Sequence, residues 1–191
     1  GNDVANLRGK GMTANSHGVP NLGDKITIYE QDGLTVEMFA VDHKPISPAV
    51  GYLFTFKGRT VLVSGDTTKT SNVELFSNQV DLLVHEALSK ELLSVMRASA
   101  KQAGNPQMSK IFHDVLDYHA SPIEAAEVAR DAGVGHLLYY HVVPPLDIPG
   151  LEAIWLDGVD DIFTEYTLGL DGMLFTLPPN SSDIIKVRSK L

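Results

Sequence analysis

Three apolar runs in this chain each end in a residue whose side chain can bind a metal ion or transfer a proton. The runs are VEMFAVD, VLVSG and LLYY, and the residues that follow them are His43, Asp66 and His141. Short apolar runs rich in β-branched and aromatic residues predict buried strands. Ligands of open α/β sheets collect where the strands end. The pattern therefore favours a sheet that carries polar side chains along one edge.

The first half of the chain predicts two β-hairpins. Segments 26–30 and 34–41 alternate apolar and polar residues around an Asp-Gly turn at Asp32-Gly33. Segments 50–56 and 60–64 flank Lys57-Gly58-Arg59 in the same way. Residues 1–25 are rich in Gly, Asn and Asp and show no apolar period, so they predict an irregular lead-in.

The second half predicts helices alternating with strands. Ser121-Pro122-Ile123-Glu124 combines an N-cap serine, a proline at the first helical position and a glutamate at the third, so a helix is expected from there to Ala132. The other expected elements are helices over 70–78 and 88–117, the latter broken at 104–106, and strands over 81–87, 136–141, 162–168 and 172–177. These elements predict a single α/β domain over residues 26–191.

Composition limits the chemistry of any site. The chain of 191 residues has seven histidines and no cysteine, so a metal site needs His and carboxylate ligands, which suit zinc, manganese or iron. Its formal charge of −9 argues against holding a polyanion by bulk charge. Since no apolar run approaches the ~20 residues of a membrane helix, no membrane contact is predicted. The C-terminal Ser189-Lys190-Leu191 is a weak match to a peroxisomal address, and the sequence does not distinguish cytoplasm from periplasm.

Each candidate residue also has a structural alternative. His43 and His141 could be ordinary structural histidines, and Asp66 could cap the next helix. His119, just before the Ser121 helix start, suits a proton donor or a transition-state hydrogen bond, but a solvated loop histidine is equally compatible. Glu86, near a strand end, could orient a catalytic histidine.

The remaining histidines are expected to be structural. His85 is predicted to be satisfied in the core, whereas His17, His113 and His136 are predicted to be structural or to face solvent.

The order of these pieces resembles the second half of the metallo-β-lactamase fold hydrolases, in the branch of ribonuclease Z and the arylsulfatase-like enzymes. The matching pieces are VDHKPISPAVGY, VLVSGDT, DLLVHEA, YHASPIEAAEVARDAGVGHLLYYHVVPP and the tail YTLGLDGMLFTLPP. The resemblance covers roughly residues 26–180. It implies half of an αββα sandwich, with a mixed sheet and helices packed on one face.

The resemblance also implies roles for individual residues. His43 would bind the first of two zinc ions, Asp66 would bridge the two, and His141 would bind the second. His119 would assist the leaving group, and Glu86 would orient it. A metal-activated hydroxide would cleave an ester, either a phosphodiester of RNA or a small ester such as a sulfate ester.

The sequence departs from this family in one respect. The HxHxDH motif is absent, because no two of the seven histidines lie two residues apart. We therefore expect the chain to be the C-terminal half of a longer hydrolase and to be inactive by itself. The alternatives are a non-catalytic, metal-free half domain that forms a homodimer or docks on a partner, and an unrelated α/β binding module in which Asp66 only caps a helix.

Overall fold

The computed structural model describes residues 15–188. The C-terminal Ser189-Lys190-Leu191 and residues 1–14 of the predicted lead-in lie outside this range. Residues 15–24 form no helix or strand, as the sequence predicted for this part of the lead-in.

Seven strands form one mixed sheet in the order β1 to β7. They are β1 Lys25–Gln31, β2 Leu34–Ala40, β3 Val50–Phe56, β4 Arg59–Val63, β5 Leu82–Leu88, β6 His136–Val143 and β7 Tyr166–Leu168. Neighbouring strands are antiparallel from β1 to β4 and parallel from β4 to β7. Two further strands, β8 Met173–Thr176 and β9 Ile185–Arg188, form a separate antiparallel ribbon.

Two-residue turns close both predicted hairpins. Asp32 and Gly33 have φ of 52° and 81°, and Lys57 and Gly58 have φ of 49° and 76°. Positive φ at both central residues is the type I′ geometry that matches the twist of the flanking strands. The Asp-Gly signal therefore fixed the register of β1 and β2, in which Gln31 lies opposite Leu34.

Within residues 15–188, five α-helices connect or follow the strands. They are α1 Ser71–Phe76, α2 Lys90–Gln102, α3 Pro106–Asp114, α4 Pro122–Ala132 and α5 Leu151–Trp155, with a 3₁₀ turn at Val115–Asp117. The predicted capping box of α4 is present, because Glu124 N donates to Ser121 Oγ and Ser121 N donates to Glu124 Oε2. Gly133 ends this helix in the left-handed conformation that the sequence suggested.

The core lies between the sheet and α4, which contacts β5, β6 and α1. Its largest fully buried apolar side chains include Phe39, Leu62, Leu83, Leu137 and Trp155. Burial of such side chains stabilises the fold by roughly 1.5–3 kcal/mol each. The mixed sheet with its packed helices has the predicted fold class. No helix within residues 15–188 is long and apolar enough to cross a bilayer.

The tail is held to the sheet by a buried arginine. Arg59 Nη1 donates to the carbonyls of Pro178, Ser181 and Asp183. Its Nη2 lies 3.0 Å from Asp81 Oδ1. The predicted strands of the tail are shorter than expected and cover only Tyr166–Leu168 and Met173–Thr176.

Candidate active site

The carboxyl ends of four strands, β2, β4, β5 and β6, lie at one edge of the sheet. Because β2 and β4 are both antiparallel to β3, they run in the same direction, and β5 and β6 are parallel to β4. The chain therefore leaves β2, β4 and β6 at the edge where His43, Asp66 and His141 lie. Glu86 occupies the same end of β5.

His43 is fixed by the loop that follows α3. Its Nδ1 lies 2.8 Å from the carbonyl of Tyr118, so this nitrogen carries the proton and donates it. The Nε2 atom is left with its lone pair, which is the state of a metal-binding imidazole. The ring centroid of His43 is 4.9 Å from that of His119.

Asp66 follows a glycine whose conformation the fold requires. Gly65 has φ of 65°, and a Cβ atom there would lie 2.4 Å from the carbonyl oxygen of Val50. The absence of a side chain at Gly65 thus lets the β3 backbone come close. Capping of α1 is done by Thr70, whose side chain accepts from Val73 N at 3.3 Å. Asp66 therefore does not serve as the N-cap of that helix.

His141 occupies a β-bulge. Tyr140 pairs with Glu86 and Val142 pairs with Ala87, so His141 is the extra residue between them. Its φ of 46° is uncommon for a residue with a side chain. Bulges re-aim a side chain next to active sites. The expected strand end at His141 was too early, since β6 continues to Val143 beyond the bulge.

Asp66 and His141 face each other across the edge. Asp66 Oδ2 lies 3.9 Å from His141 Nε2, and about two fifths of each side chain is exposed. This distance is too long for a hydrogen bond. Two ligand atoms held at ~2.1 Å by one tetrahedral ion lie about 3.4 Å apart, so small side-chain movements would let the pair share an ion.

Glu86 and His119 form a buried pair. Glu86 is fully buried, and its Oε1 accepts from His119 Nδ1 at 2.9 Å. The same oxygen accepts the backbone N–H groups of Thr67 at 3.0 Å and Ala120 at 3.3 Å. Because a carboxylate only accepts, His119 Nδ1 carries a proton and Nε2 faces outward from the pair. Glu86 Oε2 is buried without a hydrogen-bond partner.

Thr67 links three of the loops at this edge, a role that the sequence did not reveal. Its N–H donates to Glu86, and its carbonyl accepts from Ala120 N at 2.8 Å. Its hydroxyl accepts from Asp42 N at 3.3 Å. The run of threonines after Asp66 in VLVSGDTTKT is the signal that could have pointed to this role. Tyr118, which fixes His43 through its carbonyl, carried no signal at all.

Burial and charge shift the pKa of several groups around the site. Hydrogen bonds from the Lys44 backbone and side chain lower the pKa of Asp42. Burial, reinforced by the charge of Asp66, raises the pKa of Tyr140 to about 12. Burial also lowers the pKa of His85, whose Nδ1 donates to the Glu86 carbonyl at 2.6 Å. His85 is fully buried, as predicted for a core histidine.

The other histidines lie away from this edge. His17 and His113 are exposed. His136 is buried, with its Nε2 2.9 Å from Thr167 Oγ1.

Comparison with known proteins agrees with the fold. Residues 4–142 match the family described as Beta-lactamase superfamily domain. This match covers more than half of the chain. The chain belongs to the β-lactamase superfamily.

Relatives within this superfamily include enzymes named ribonuclease Z. The chain is 34% identical over 127 residues to "Ribonuclease Z" of Mycobacterium sp. (strain KMS), covering 66% of this chain and 40% of the relative. It is 32% identical over 127 residues to "Putative ribonuclease Z" of Mycobacterium tuberculosis (strain CDC 1551 / Oshkosh), covering 66% of this chain and 51% of the relative. The chain thus spans about half the length, or less, of these curated relatives.

A solved superfamily structure shares the fold. The metallo-beta-lactamase fold protein YhfI from Bacillus subtilis superposes with a TM-score of 0.51 at 20% identity, covering 76% of this chain and 49% of that chain. The mixed sheet is therefore the metallo-β-lactamase fold, and this fold implies bound metal ions.

The types of donor atom at the edge suit a metal ion. His43, Asp66 and His141 offer two imidazoles and one carboxylate, a set that zinc, manganese and iron accept. A second candidate set, Glu86, His119 and His141, has ligand atoms within 4.8 Å of one another. In that set Glu86 Oε1 and His119 Nδ1 are already bonded to each other, and the rings of His119 and His141 are stacked at 15°. Stacked rings direct their in-plane lone pairs side by side, which suits a shared ion poorly.

Proposed function

We propose that this chain forms the C-terminal part of a metal-dependent hydrolase that cleaves an ester, with a phosphodiester as the favoured substrate. The observation that carries the proposal is that His43, Asp66 and His141 follow strands that end at the same edge of the sheet as the buried Glu86–His119 pair. Three metal-binding side chains and one oriented imidazole at the same sheet edge suit ester hydrolysis.

In this proposal His43, Asp66 and His141 hold the metal, with zinc favoured and manganese or iron also suited to the donor set. When bound, two ions would supply an activated water and neutralise the charge that develops on the ester. Asp66 would supply the carboxylate of this ligand set, and its side chain is partly exposed at the edge.

His119 is proposed to act on the leaving group. Glu86 Oε1 accepts from Nδ1 at 2.9 Å, which holds the ring and directs Nε2 toward the edge. A proton on Nε2 could pass to the departing oxygen, and the buried carboxylate would stabilise the imidazolium before that transfer. Thr67 and Ala120 donate to the same oxygen and keep the carboxylate in place.

The substrate class is proposed from the relatives. Two relatives that are 32–34% identical over 127 residues are named ribonuclease Z or putative ribonuclease Z, which favours an RNA phosphodiester. A small ester, such as a sulfate ester, is the alternative within the same chemistry, and the net charge of −9 favours it over a polyanion held by bulk charge.

Metal binding by the chain tests the site. We expect Asp66→Ala to lower the affinity for zinc at least 10-fold in equilibrium dialysis with elemental analysis, because it removes a ligand. His113→Ala is the matched control, since His113 is exposed and lies outside the edge. Metal content that Asp66→Ala leaves unaffected would contradict the proposal.

The alternative of a metal-free half domain that forms a homodimer rests on the other face of the sheet. Val61, Val63, Val84 and Leu138 share that face through the strand register, and each stays partly exposed. The hypothesis predicts a dimer without bound zinc in sedimentation equilibrium. A monomer that binds zinc would exclude it.

A further inference from the structure

A helical hairpin is inserted between the two members of the Glu86–His119 pair. The chain leaves β5 just beyond Glu86, forms α2 and α3, and returns through a 3₁₀ turn to His119. Its base is fixed by the edge, because Leu88 N donates to Ala120 O at 2.8 Å and Ser89 N donates to Val143 O at 2.8 Å. A ligand held on this hairpin would therefore be tied to the position of the candidate catalytic histidine.

The hairpin is basic in an otherwise acidic chain. Residues 90–114 contain four lysine or arginine residues and two acidic residues, whereas the whole chain has a formal charge of −9. Only Leu92 and Leu93 are buried in α2, and no residue of α3 is buried. The four cations therefore lie outside the core, and only Lys90 reaches toward α4, with its Nζ 4.0 Å from Glu124 Oε2.

Three of these cations converge on a groove of about 450 Å³ between the helices. The residues that line it are Arg97, Lys101, Gly104, Pro106, Ser109, Lys110 and His113. Arg97 and Lys101 are one helical turn apart on α2, and positions 106, 109, 110 and 113 form one face of α3. Among residues 15–188 no acidic side chain lines the groove, although Lys110 Nζ is paired with Asp114 Oδ2 one turn further along α3.

The groove fits an anion with polar oxygens better than an acyl chain. The exposed apolar side chains of the hairpin, such as Val95, Met108 and Ile111, are not among its lining residues. Guanidinium and ammonium groups bind phosphate oxygens through charge-assisted hydrogen bonds. The nine residues of α3 are ~13 Å long, so the groove is extended and leads from the tip of the hairpin toward its base.

We propose that this groove binds the phosphate backbone of an RNA strand whose scissile ester lies at the His119 edge. The inference rests on the proposed function, because it assigns the substrate of that same site to RNA. It also removes the conflict with the net charge: local positive charge on the hairpin binds the strand that bulk charge would repel.

Binding of a short, fluorescently labelled single-stranded RNA to the whole chain tests this proposal by anisotropy. The variant Arg97→Gln/Lys101→Gln/Lys110→Gln removes the three groove cations. The matched control Lys25→Gln/Arg130→Gln/Lys186→Gln removes three cations outside the hairpin. EDTA removes metal ions, so anisotropy in its presence measures RNA binding without cleavage. RNA binding by the groove is thereby tested separately from metal-dependent hydrolysis at the edge.

We expect the groove variant to lose about 100-fold in affinity near ~100 mM salt, since three phosphate contacts contribute about 2 to the slope of log K against log salt. In the groove variant the slope of log K against log salt should decrease in magnitude by about 2. The control variant should keep the affinity and the slope of the wild type. Equal losses in both variants would show bulk charge alone and overturn the proposal. The proposal would also be overturned if the wild-type chain did not bind the RNA. It would equally be overturned if the groove cations were needed for binding to anionic phospholipid vesicles and not for binding to RNA.

Discussion

Gly65 combines a left-handed backbone with a close neighbour. Its φ is 65°, and a Cβ atom would lie 2.4 Å from Val50 O. The left-handed backbone would cost a residue with a side chain about 1–2 kcal/mol. A side chain at this position would also push β3 and the Asp66 loop apart. This one position therefore sets how near Asp66 lies to the neighbouring strand.

We expect Gly65→Ala to lower the free energy of unfolding by about 3 kcal/mol or more in urea denaturation, through the combined strain and clash. Gly58→Ala is the control, because Gly58 has φ of 76° and no atom within 4 Å of its built Cβ. It should cost only about 1–2 kcal/mol. If Gly65→Ala and Gly58→Ala lowered the free energy of unfolding equally, the contact with Val50 would not contribute to the cost.

At the scale of elements, α4 positions the loop that carries His119. Its N-cap, Ser121, lies two residues after this histidine, and both hydrogen bonds of the capping box are formed. The helix is anchored in the core through Ala125, Ala126 and Val128, all fully buried. A firm helix start therefore keeps the His119 ring within reach of Glu86.

Ser121→Ala should reduce the free energy of unfolding by about 1 kcal/mol, because the Glu124 N–H loses its acceptor. Thermal or urea denaturation measures this. Ser94→Ala is a suitable control: Ser94 is an exposed serine within α2 whose hydroxyl donates to Lys90 O. A cap variant as stable as this control would mean that packing alone fixes the helix start.

At the scale of the whole molecule, stability should depend on two of the buried histidines, His85 and His136. Burial lowers the pKa of His136 from 6.5 to about 4 and also lowers that of His85. The unfolded chain then binds more protons than the folded one below pH 6.5. Stability is therefore complete above that pH and is lost as the pH falls toward 4.

For His136 the loss amounts to about 3 kcal/mol at ~1.4 kcal/mol per pH unit. We expect His136→Gln to flatten the decline of the unfolding free energy over this range, since an amide can still bond Thr167 and does not titrate. Urea titrations at a series of pH values measure this, with His113→Gln as the exposed control. An unchanged slope in His136→Gln would exclude His136 as a source of the pH dependence.

The sequence by itself determined the local parts of this protein. The strands from β1 to β5, the Asp32-Gly33 turn and the capping box at Ser121 were legible, because each depends on residues that are neighbours along the chain. The ends of β6 to β8 were placed less well, and β9 was not expected. The buried His85 was also expected from its place in an apolar run.

Tertiary structure alone decided how these parts meet. The bulge at His141 arises from the pairing of β6 with β5. The bonds from Thr67, His119 and Ala120 to Glu86 join residues 19, 33 and 34 positions apart. Such contacts depend on which strands pair and where each loop folds back, which no local pattern specifies. The basic groove likewise exists only because α2 and α3 pack together, bringing Arg97 and Lys101 beside Lys110.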